Sequence, residues 1–145
     1  MYPGKLDDRG RVKVPAKFQQ YLGDLPEKIL YVTSLDRRIA LIYPIAVWRE
    51  NEKFFAEHRE LTKISAKVMF NAAELGSEAE MDAQGRVTFS PEIRRELKLE
   101  GVNLHLYFSN NRIEVLSQEI YEERRKAAME LSEDDLATLE ANGLN

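Results

Sequence analysis

Two short stretches of alternating apolar and polar residues predict two half-buried strands. They are Val12-Lys13-Val14 and Val87-Thr88-Phe89, in which every second side chain is apolar. A proline follows each stretch, Pro15 in the first case and Pro91 in the second. Proline is well tolerated in the first turn of a helix, where its missing N–H has no helical partner to lose. The pattern therefore predicts a strand followed by a short helix at two places in the chain.

A pair of apolar segments follows each short helix and predicts a β-hairpin. Residues 28–34 and 38–42 form the first pair, and residues 102–108 and 112–116 form the second. The two members of each pair are separated by a short polar segment that contains Asp or Asn, which are common in tight turns. Each half of the chain is therefore predicted to contain a strand, a short helix and a hairpin.

These elements belong to an internal repeat with an offset of 75 residues. The most similar segments are Asp7-Asp8-Arg9-Gly10-Arg11-Val12 and Asp82-Ala83-Gln84-Gly85-Arg86-Val87. One copy of about 40 to 45 residues is too short to bury a core alone. We therefore expect the two copies to share a core, with strands that interleave about a pseudo-twofold axis.

The remaining segments are predicted to be helical. Between the copies, apolar residues follow one another at intervals of three or four and form one stripe, which Gly76 ends. The stripe consists of Leu61, Ile64, Val68, Ala72 and Leu75. Residues 118–129 also have a helical pattern, and Ser132 and Asp135 have the spacing of a capping box at the start of a last short helix.

Charge is unevenly distributed among the four segments that these patterns define. They are a first repeat (1–50), a connecting helical region (51–75), a second repeat (76–122) and an acidic helical tail (123–145). The first repeat has nine Lys and Arg against six Asp and Glu, whereas the second has five against nine and the tail three against six. Although the net charge of the whole chain is −4, a polyanionic partner is expected to meet the first repeat.

Composition narrows the possible functions. The chain has 43% hydrophobic and 32% charged residues, as folded domains do, and it has no cysteine. The histidines His58 and His105 have no companions at metal-ligand spacing, and there is no phosphate-binding loop or hydrolase nucleophile motif. No apolar segment is long enough for a membrane helix or a signal peptide. We therefore expect a cytoplasmic protein that is not an enzyme and that needs no metal or cofactor.

The repeated motif Asp-x-x-Gly-Arg places an arginine at the start of a strand. Its Asp can accept hydrogen bonds from the turn or hold the arginine, and its Gly permits a positive φ. The guanidinium of Arg11 or Arg86 could then donate two hydrogen bonds to O6 and N7 of a guanine. A purely structural Asp–Arg ion pair is the alternative and the more common use of an isolated motif. Duplication of the motif in matching contexts favours binding.

The whole chain resembles the MraZ family of bacterial transcriptional regulators, which consist of two tandem swapped-hairpin domains of the AbrB and MazE type. The resemblance rests on the segments LDDRGRVKVPAKF, LIYPIAVW, MDAQGRVTFSPEIRREL and NRIEVL, with the Asp-x-x-x-Arg signature present twice. It implies an α+β fold whose repeats form one intertwined, β-barrel-like core with added helices. It also implies a nucleoid-associated regulator of the division and cell-wall gene cluster. Such a protein binds G-rich direct repeats upstream of its own operon and forms ring-like homo-oligomers.

Double-stranded DNA is the partner that the resemblance implies. The expected DNA-binding residues come from the two motifs and the cations beside the first: Lys5, Asp7, Arg9, Gly10, Arg11, Lys13, Asp82, Gly85 and Arg86. Arg11 is expected to read guanine. The second motif is expected to contribute less, because the neutral Gln84 replaces a cation and Glu78 and Glu80 precede it. No contact is assigned to Gln19, where relatives tend to have Arg.

Other functions stay open at this stage. An antitoxin-like protein of the same fold class would use the acidic tail to wrap a partner protein, although such antitoxins usually have one repeat and a disordered tail. A ring-forming scaffold with little DNA affinity is compatible with the acidic second half. The adjacent Arg94 and Arg95 are expected on a solvated face, with phosphate contact as the alternative.

Overall fold

The computed structural model describes residues 1–145, apart from the side chain of residue 59, as an α+β protein. In chain order the elements are β1 (Tyr2–Gly4), β2 (Arg11–Lys13), α1 (Ala16–Gly23), β3 (Ile29–Thr33), β4 (Ala40–Pro44), α2 (Ile45–Glu57), a 3-10 turn (Arg59–Leu61), α3 (Thr62–Leu75), β5 (Ser77–Glu80), β6 (Arg86–Thr88), α4 (Pro91–Glu96), β7 (Leu104–Ser109), β8 (Arg112–Ser117), α5 (Gln118–Ala128) and α6 (Glu133–Ala141).

Strands of the two halves are interleaved in one antiparallel sheet with the order β1-β7-β8-β4-β3-β5. The first strand of each half pairs with the hairpin of the other half, β1 with β7 and β5 with β3. The two hairpins meet at the pair of β4 and β8. Exchanging the halves, so that β1 becomes β5 and β3 becomes β7, reproduces the same order read from the opposite edge.

The six-stranded sheet is open, and β1 and β5 are its edges. The strands that carry the motifs, β2 and β6, pair with each other as a separate two-stranded ribbon instead of joining those edges. Within the described residues the strands therefore form no closed barrel, and the expected barrel-like core is wrong in this respect.

The larger of two apolar clusters holds side chains from both halves. Val12 of β2 and Val87 of β6 face each other across the ribbon, and both are fully buried. Leu30 of the first hairpin and Leu104 of the second belong to the same cluster, together with Phe89. This shared core agrees with the argument that neither copy is long enough to bury a core alone.

The connecting region is helical as predicted but divided in two, and its apolar stripe is only partly buried. The 3-10 turn separates α2 from α3. Ala72 and Leu75 pack as predicted, and the hydroxyl of Tyr31 donates to the backbone carbonyl of Ala72 at 2.8 Å. Ile64, however, is 66% exposed and Leu61 40%. The buried residues of α3 are Ser65, Ala72 and Leu75, so the predicted stripe is buried only near its C-terminal end and Ile64 lies off the buried side.

The acidic tail forms two helices, and the predicted capping box is present at the second. The Ser132 hydroxyl accepts from the backbone N–H of Asp135 at 3.1 Å, and the Asp135 carboxylate accepts from the backbone N–H of Ser132 at 3.0 Å. Every residue from 122 to 145 is exposed. Among the helices that the structure describes, none is long and apolar enough to cross a membrane.

Candidate nucleic-acid interface

The first motif is a tight turn held together by a single carboxylate. The Asp7 carboxylate accepts from the backbone N–H groups of Arg9 and Arg11, each at 2.9 Å, and from Nε of Arg11 at 2.7 Å. Gly10 donates its backbone N–H to the carbonyl of Asp7 at 3.0 Å and has a φ of 75°. A positive φ is readily adopted by glycine alone, which accounts for the glycine in the motif.

The second motif reproduces this geometry. The Asp82 carboxylate accepts from the backbone N–H groups of Gln84 and Arg86 at 2.9 Å and from Nε of Arg86 at 2.8 Å. Gly85 has a φ of 77° and donates to the carbonyl of Asp82 at 3.0 Å. In both motifs the aspartate fixes the turn and the direction of the arginine at once.

The ribbon of β2 and β6 brings the two turns together. Val14 donates its backbone N–H to the carbonyl of Gly85, and Phe89 donates to the carbonyl of Gly10, both at 2.8 Å. Each glycine carbonyl thus anchors the strand of the other repeat. The predicted site residues of the two motifs, although 75 positions apart, form one continuous surface.

One face of the ribbon carries the cations. Successive side chains of a strand point to opposite faces, so Arg11 and Lys13 share a face while Val12 points into the core. In the antiparallel register Lys13 lies opposite Arg86, which places Arg86 on the same face. We call this surface, made of Arg11, Lys13 and Arg86, the basic ribbon face.

Each turn also receives a side chain from the other repeat. Nζ of Lys13 donates to the carbonyl of Gln84 in the second turn. The guanidinium of Arg94 lies over Gly10, so close that a Cβ added to this glycine would be 2.6 Å from Cζ of Arg94. A Cβ on Gly85 would be 2.2 Å from the Gln19 amide. The positive φ therefore favours glycine at both positions, and a Cβ at either one would displace the flexible end of Arg94 or Gln19.

Arg94, which the sequence predicted on a solvated face with phosphate contact as the alternative, is a further candidate site residue. Its side chain is only 16% exposed, and its Nη1 donates to Glu100 at 2.9 Å. The repeat offset that aligns Arg11 with Arg86 also aligns Gln19 with Arg94, and this alignment was the available signal. The two turns consequently differ, because a cation covers the first and a neutral amide covers the second.

The other predicted cations lie beside the first turn. Arg9 is exposed, and within the described residues its side chain makes no hydrogen bond or ion pair. Lys5 is exposed two residues before Asp7, also without a side-chain partner in the part of the chain that the structure describes. Gln84 is the residue of the second turn that corresponds to Arg9, and its side-chain oxygen accepts from Nη2 of Arg86.

Electrostatics keep both aspartates ionised. The backbone N–H of Arg11 is the largest cause that lowers the pKa of Asp7 below 3.8, and the side-chain bond from the same arginine adds to it. The backbone N–H of Arg86 likewise lowers the pKa of Asp82 below 3.8. At neutral pH each carboxylate therefore holds its arginine through Nε, while both Nη groups of Arg11 stay unpaired within the described residues.

The arrangement suits binding to a polyanion better than chemistry on a substrate. The carboxylates are engaged with backbone and arginine, and no group of His, Cys, Asp or Glu in the described part of the chain could hold a metal ion. The groups that stay free within the described residues are guanidinium and ammonium donors on the ribbon and beside the first turn. Such donors recognise phosphates and the acceptor edges of bases.

Fold and site together define a class: an α+β protein in which two interleaved repeats present matched Asp–Arg turns on one basic ribbon. Comparison with known proteins then identifies the family. The protein named transcriptional regulator MraZ of Koribacter versatilis is 34% identical over 101 residues, which are 69% of each chain. That of Caldanaerobacter subterraneus subsp. tengcongensis is 32% identical over 127 residues, covering 87% of this chain and 85% of the relative.

A third relative of the same name, from Acidobacterium capsulatum, is 28% identical over 139 residues, which are 96% of this chain and 94% of the relative. No protein-family model matches the chain. The chain belongs to the MraZ family.

Proposed function

We propose that the chain is a sequence-specific DNA-binding transcriptional regulator and that the basic ribbon face is its DNA-binding surface. The observation that carries this proposal is the matched geometry of the two turns. Nε of Arg11 is 2.7 Å from Asp7 and Nε of Arg86 is 2.8 Å from Asp82, and the ribbon places both arginines on one face. The names of the relatives, all called transcriptional regulators, support the same function.

The geometry suggests how DNA would be read. A two-stranded ribbon fits the major groove, where an arginine can donate two hydrogen bonds to O6 and N7 of guanine. Asp7 occupies Nε of Arg11 and leaves the Nη groups for the base. Because the guanidinium is already held in place, less conformational entropy is lost on binding.

Four cations beside the two turns would contact phosphates, which position the protein without reading sequence. They are Lys5, Arg9, Lys13 and Arg94. In the second turn the Gln84 oxygen already accepts from Arg86, which leaves that arginine fewer free donors. This difference supports the expectation that Arg11 reads the base and that Asp82, Gly85 and Arg86 contribute less.

The resemblance supports a finer proposal about the target and the assembly. We propose that the chain binds G-rich direct repeats upstream of its own operon, in the division and cell-wall gene cluster, and associates with the nucleoid. Residues 1–50 and 76–122 act as swapped-hairpin domains, joined by 51–75 and followed by the tail 123–145. A single ribbon offers few contacts, so a ring-like homo-oligomer that engages several repeats would gain affinity through avidity.

The proposed function is tested by binding to the DNA upstream of the chain's own gene. Fluorescence anisotropy across a salt series should show tighter binding to this DNA than to a shuffled fragment. Lys13→Ala should weaken binding to both fragments alike and lower the salt slope by about one. Equal affinity for the two fragments at every salt concentration would refute sequence-specific binding. Unchanged affinity and slope in Lys13→Ala would remove this lysine from the interface.

A further inference from the structure

The last helix of the chain, α6, carries an apolar stripe of two leucines, Leu136 and Leu139, that its own chain leaves exposed. No residue of α6 is buried. Leu136 is 42% exposed and Leu139 53%, and Met129 and Leu131 before the helix are exposed as well. A helix this short is marginally stable by itself in water, even with its capping box. An apolar stripe on such a helix indicates a docking partner.

The stripe on α6 has an acidic border. Leu136 and Leu139 are three residues apart and therefore share one face of the helix. Glu133 and Glu140 are seven residues apart, about two turns, and line one side of that face. We call the surface formed by Leu136, Leu139, Glu133 and Glu140 the α6 face. Its partner should offer apolar side chains next to cations.

The solvent side of α3 has these properties. Lys63, Lys67 and Phe70 follow one another at intervals of four and three residues and so lie along one face of the helix. Phe70 is 62% exposed, and Ile64, which follows Lys63, is 66% exposed. Neither lysine has an ion-pair or hydrogen-bond partner within the described residues. We call Lys63, Ile64, Lys67 and Phe70 the α3 face.

We propose that the α6 face of one copy docks on the α3 face of a second copy. The leucines would cover Ile64 and Phe70, and the glutamates would pair with Lys63 and Lys67. Because two different surfaces meet, the contact is heterologous and passes from copy to copy until the assembly closes. The proposal names the interface of the homo-oligomer and rests on that part of the proposed function.

Cysteine cross-linking tests the contact directly, because the chain contains no cysteine of its own. Full-length Phe70→Cys is mixed with differently tagged full-length Leu139→Cys and oxidised. A disulfide-linked heterodimer should form in about tenfold higher yield than with Glu92→Cys in place of Phe70→Cys, since docking raises the local concentration of the two thiols. Glu92 is an exposed residue of α4 and lies on neither face. Because the two cysteines are on different chains, contact within one chain gives no such product.

Charge reversal provides the second test. Lys63→Glu with Lys67→Glu should lower the mass measured by sedimentation at micromolar concentration. Adding Glu133→Lys and Glu140→Lys to the same chain should restore the mass. Restoration would show that the lysines pair with α6 rather than acting through folding.

The outcomes separate this interface from the broader function. A wild-type chain that sediments as an oligomer, yet cross-links no better than the Glu92→Cys control, would overturn the proposed interface and leave the homo-oligomer standing. A wild-type monomer at micromolar concentration would overturn both. DNA binding by the basic ribbon face is measured separately, so its failure would not be confused with either result.

Discussion

At the scale of single residues, each motif depends on an aspartate that has two tasks. The Asp7 carboxylate closes the turn by accepting from the backbone N–H of Arg11 and orients the guanidinium by accepting from Nε. Asp82 does the same for Arg86. A structural ion pair and a binding arginine are therefore compatible in this motif. The ion pair uses Nε, and the remaining nitrogens of Arg11 are free to bind a ligand.

The pKa values of these aspartates give a first prediction. A lowered pKa in the folded chain means that the carboxylate adds its full stability above 3.8 and loses it as the pH falls through the folded-state pKa. An NMR titration should place the pKa of Asp7 and Asp82 below 3.8. In Arg11→Ala the pKa of Asp7 should rise only partly, because the backbone N–H of residue 11 is the largest cause of its lowering and is kept in the variant. The pKa of Asp82 should not change. A pKa of Asp7 at or above 3.8 in the wild type would contradict the hydrogen-bonded turn.

The glycines give a second prediction, with a control inside the chain. Gly10 and Gly101 both have a positive φ, 75° and 71°, but a Cβ on Gly101 would meet nothing within 4 Å. Gly10→Ala and Gly101→Ala should therefore lose similar stability on urea unfolding, about 1–2 kcal/mol. Only Gly10→Ala should weaken DNA binding, because its Cβ displaces the guanidinium of Arg94. Equal DNA affinity of the two variants would show that the position of Arg94 over Gly10 is irrelevant to binding.

At the scale of elements, local sequence patterns predicted those strands and helices that depend on neighbouring residues of the chain. Alternation marked β2 and β6, and the Ser132 and Asp135 spacing marked the start of α6. The strands β1 and β5 were not predicted. The first contains proline and glycine and the second is Ser-Glu-Ala-Glu, compositions that disfavour strands. Both exist because the hairpin of the other repeat offers a free edge, which no local pattern reveals.

The exposure of apolar residues at the start of α3 has a similar explanation. The spacing from Leu61 to Leu75 correctly indicated a helix with an apolar side, but spacing alone does not state what covers that side. Within the chain the sheet covers Ala72 and Leu75 and leaves Ile64 exposed.

The position of Arg94 over Gly10 could not be read from either repeat alone, because the contact joins residues 84 positions apart.

The tail helix gives a prediction at this scale. Ser132→Ala removes the side-chain acceptor of the capping box and should destabilise α6 by about 1 kcal/mol. Because α6 has no buried residue in its own chain, hydrogen exchange should increase in residues 133–141 at submicromolar concentration while the global unfolding midpoint stays unchanged. The conservative variant Ser132→Asp should restore protection. A lowered global midpoint under these conditions would mean that α6 packs on its own chain.

At the scale of the whole molecule, the two repeats share one sheet and one core, and we expect them to unfold as one cooperative unit. Leu30 and Leu104 occupy the two hairpins, are 2% and 0% exposed, and lie in the same core cluster. Leu30→Ala and Leu104→Ala should each cost about 2–5 kcal/mol in the free energy of unfolding. Each variant should still unfold in a single transition that circular dichroism and Trp48 fluorescence report together. Separate transitions for the two probes would indicate that the repeats fold independently.

The distribution of charge in the folded chain differs from its distribution along the sequence. Counting along the sequence assigned the positive charge to the first repeat. The ribbon redistributes it, since Lys13 reaches the second turn and Arg94 of the second repeat covers the first. The first turn stays the more basic one, because Arg9 lies beside it and Gln84 occupies the matching place in the second.

The central claim is that the basic ribbon face reads DNA mainly through Arg11, and anisotropy titrations with the DNA upstream of the chain's own gene test it most directly. At fixed salt, Arg11→Ala should raise the Kd by about 5- to 150-fold, corresponding to about 1–3 kcal/mol, and reduce the preference over shuffled DNA. Arg86→Ala should have a smaller effect, and the double variant should bind both fragments alike. Wild-type affinity and preference in the double variant would contradict the account. Loss of binding in Arg86→Ala with none in Arg11→Ala would assign the reading to the second turn.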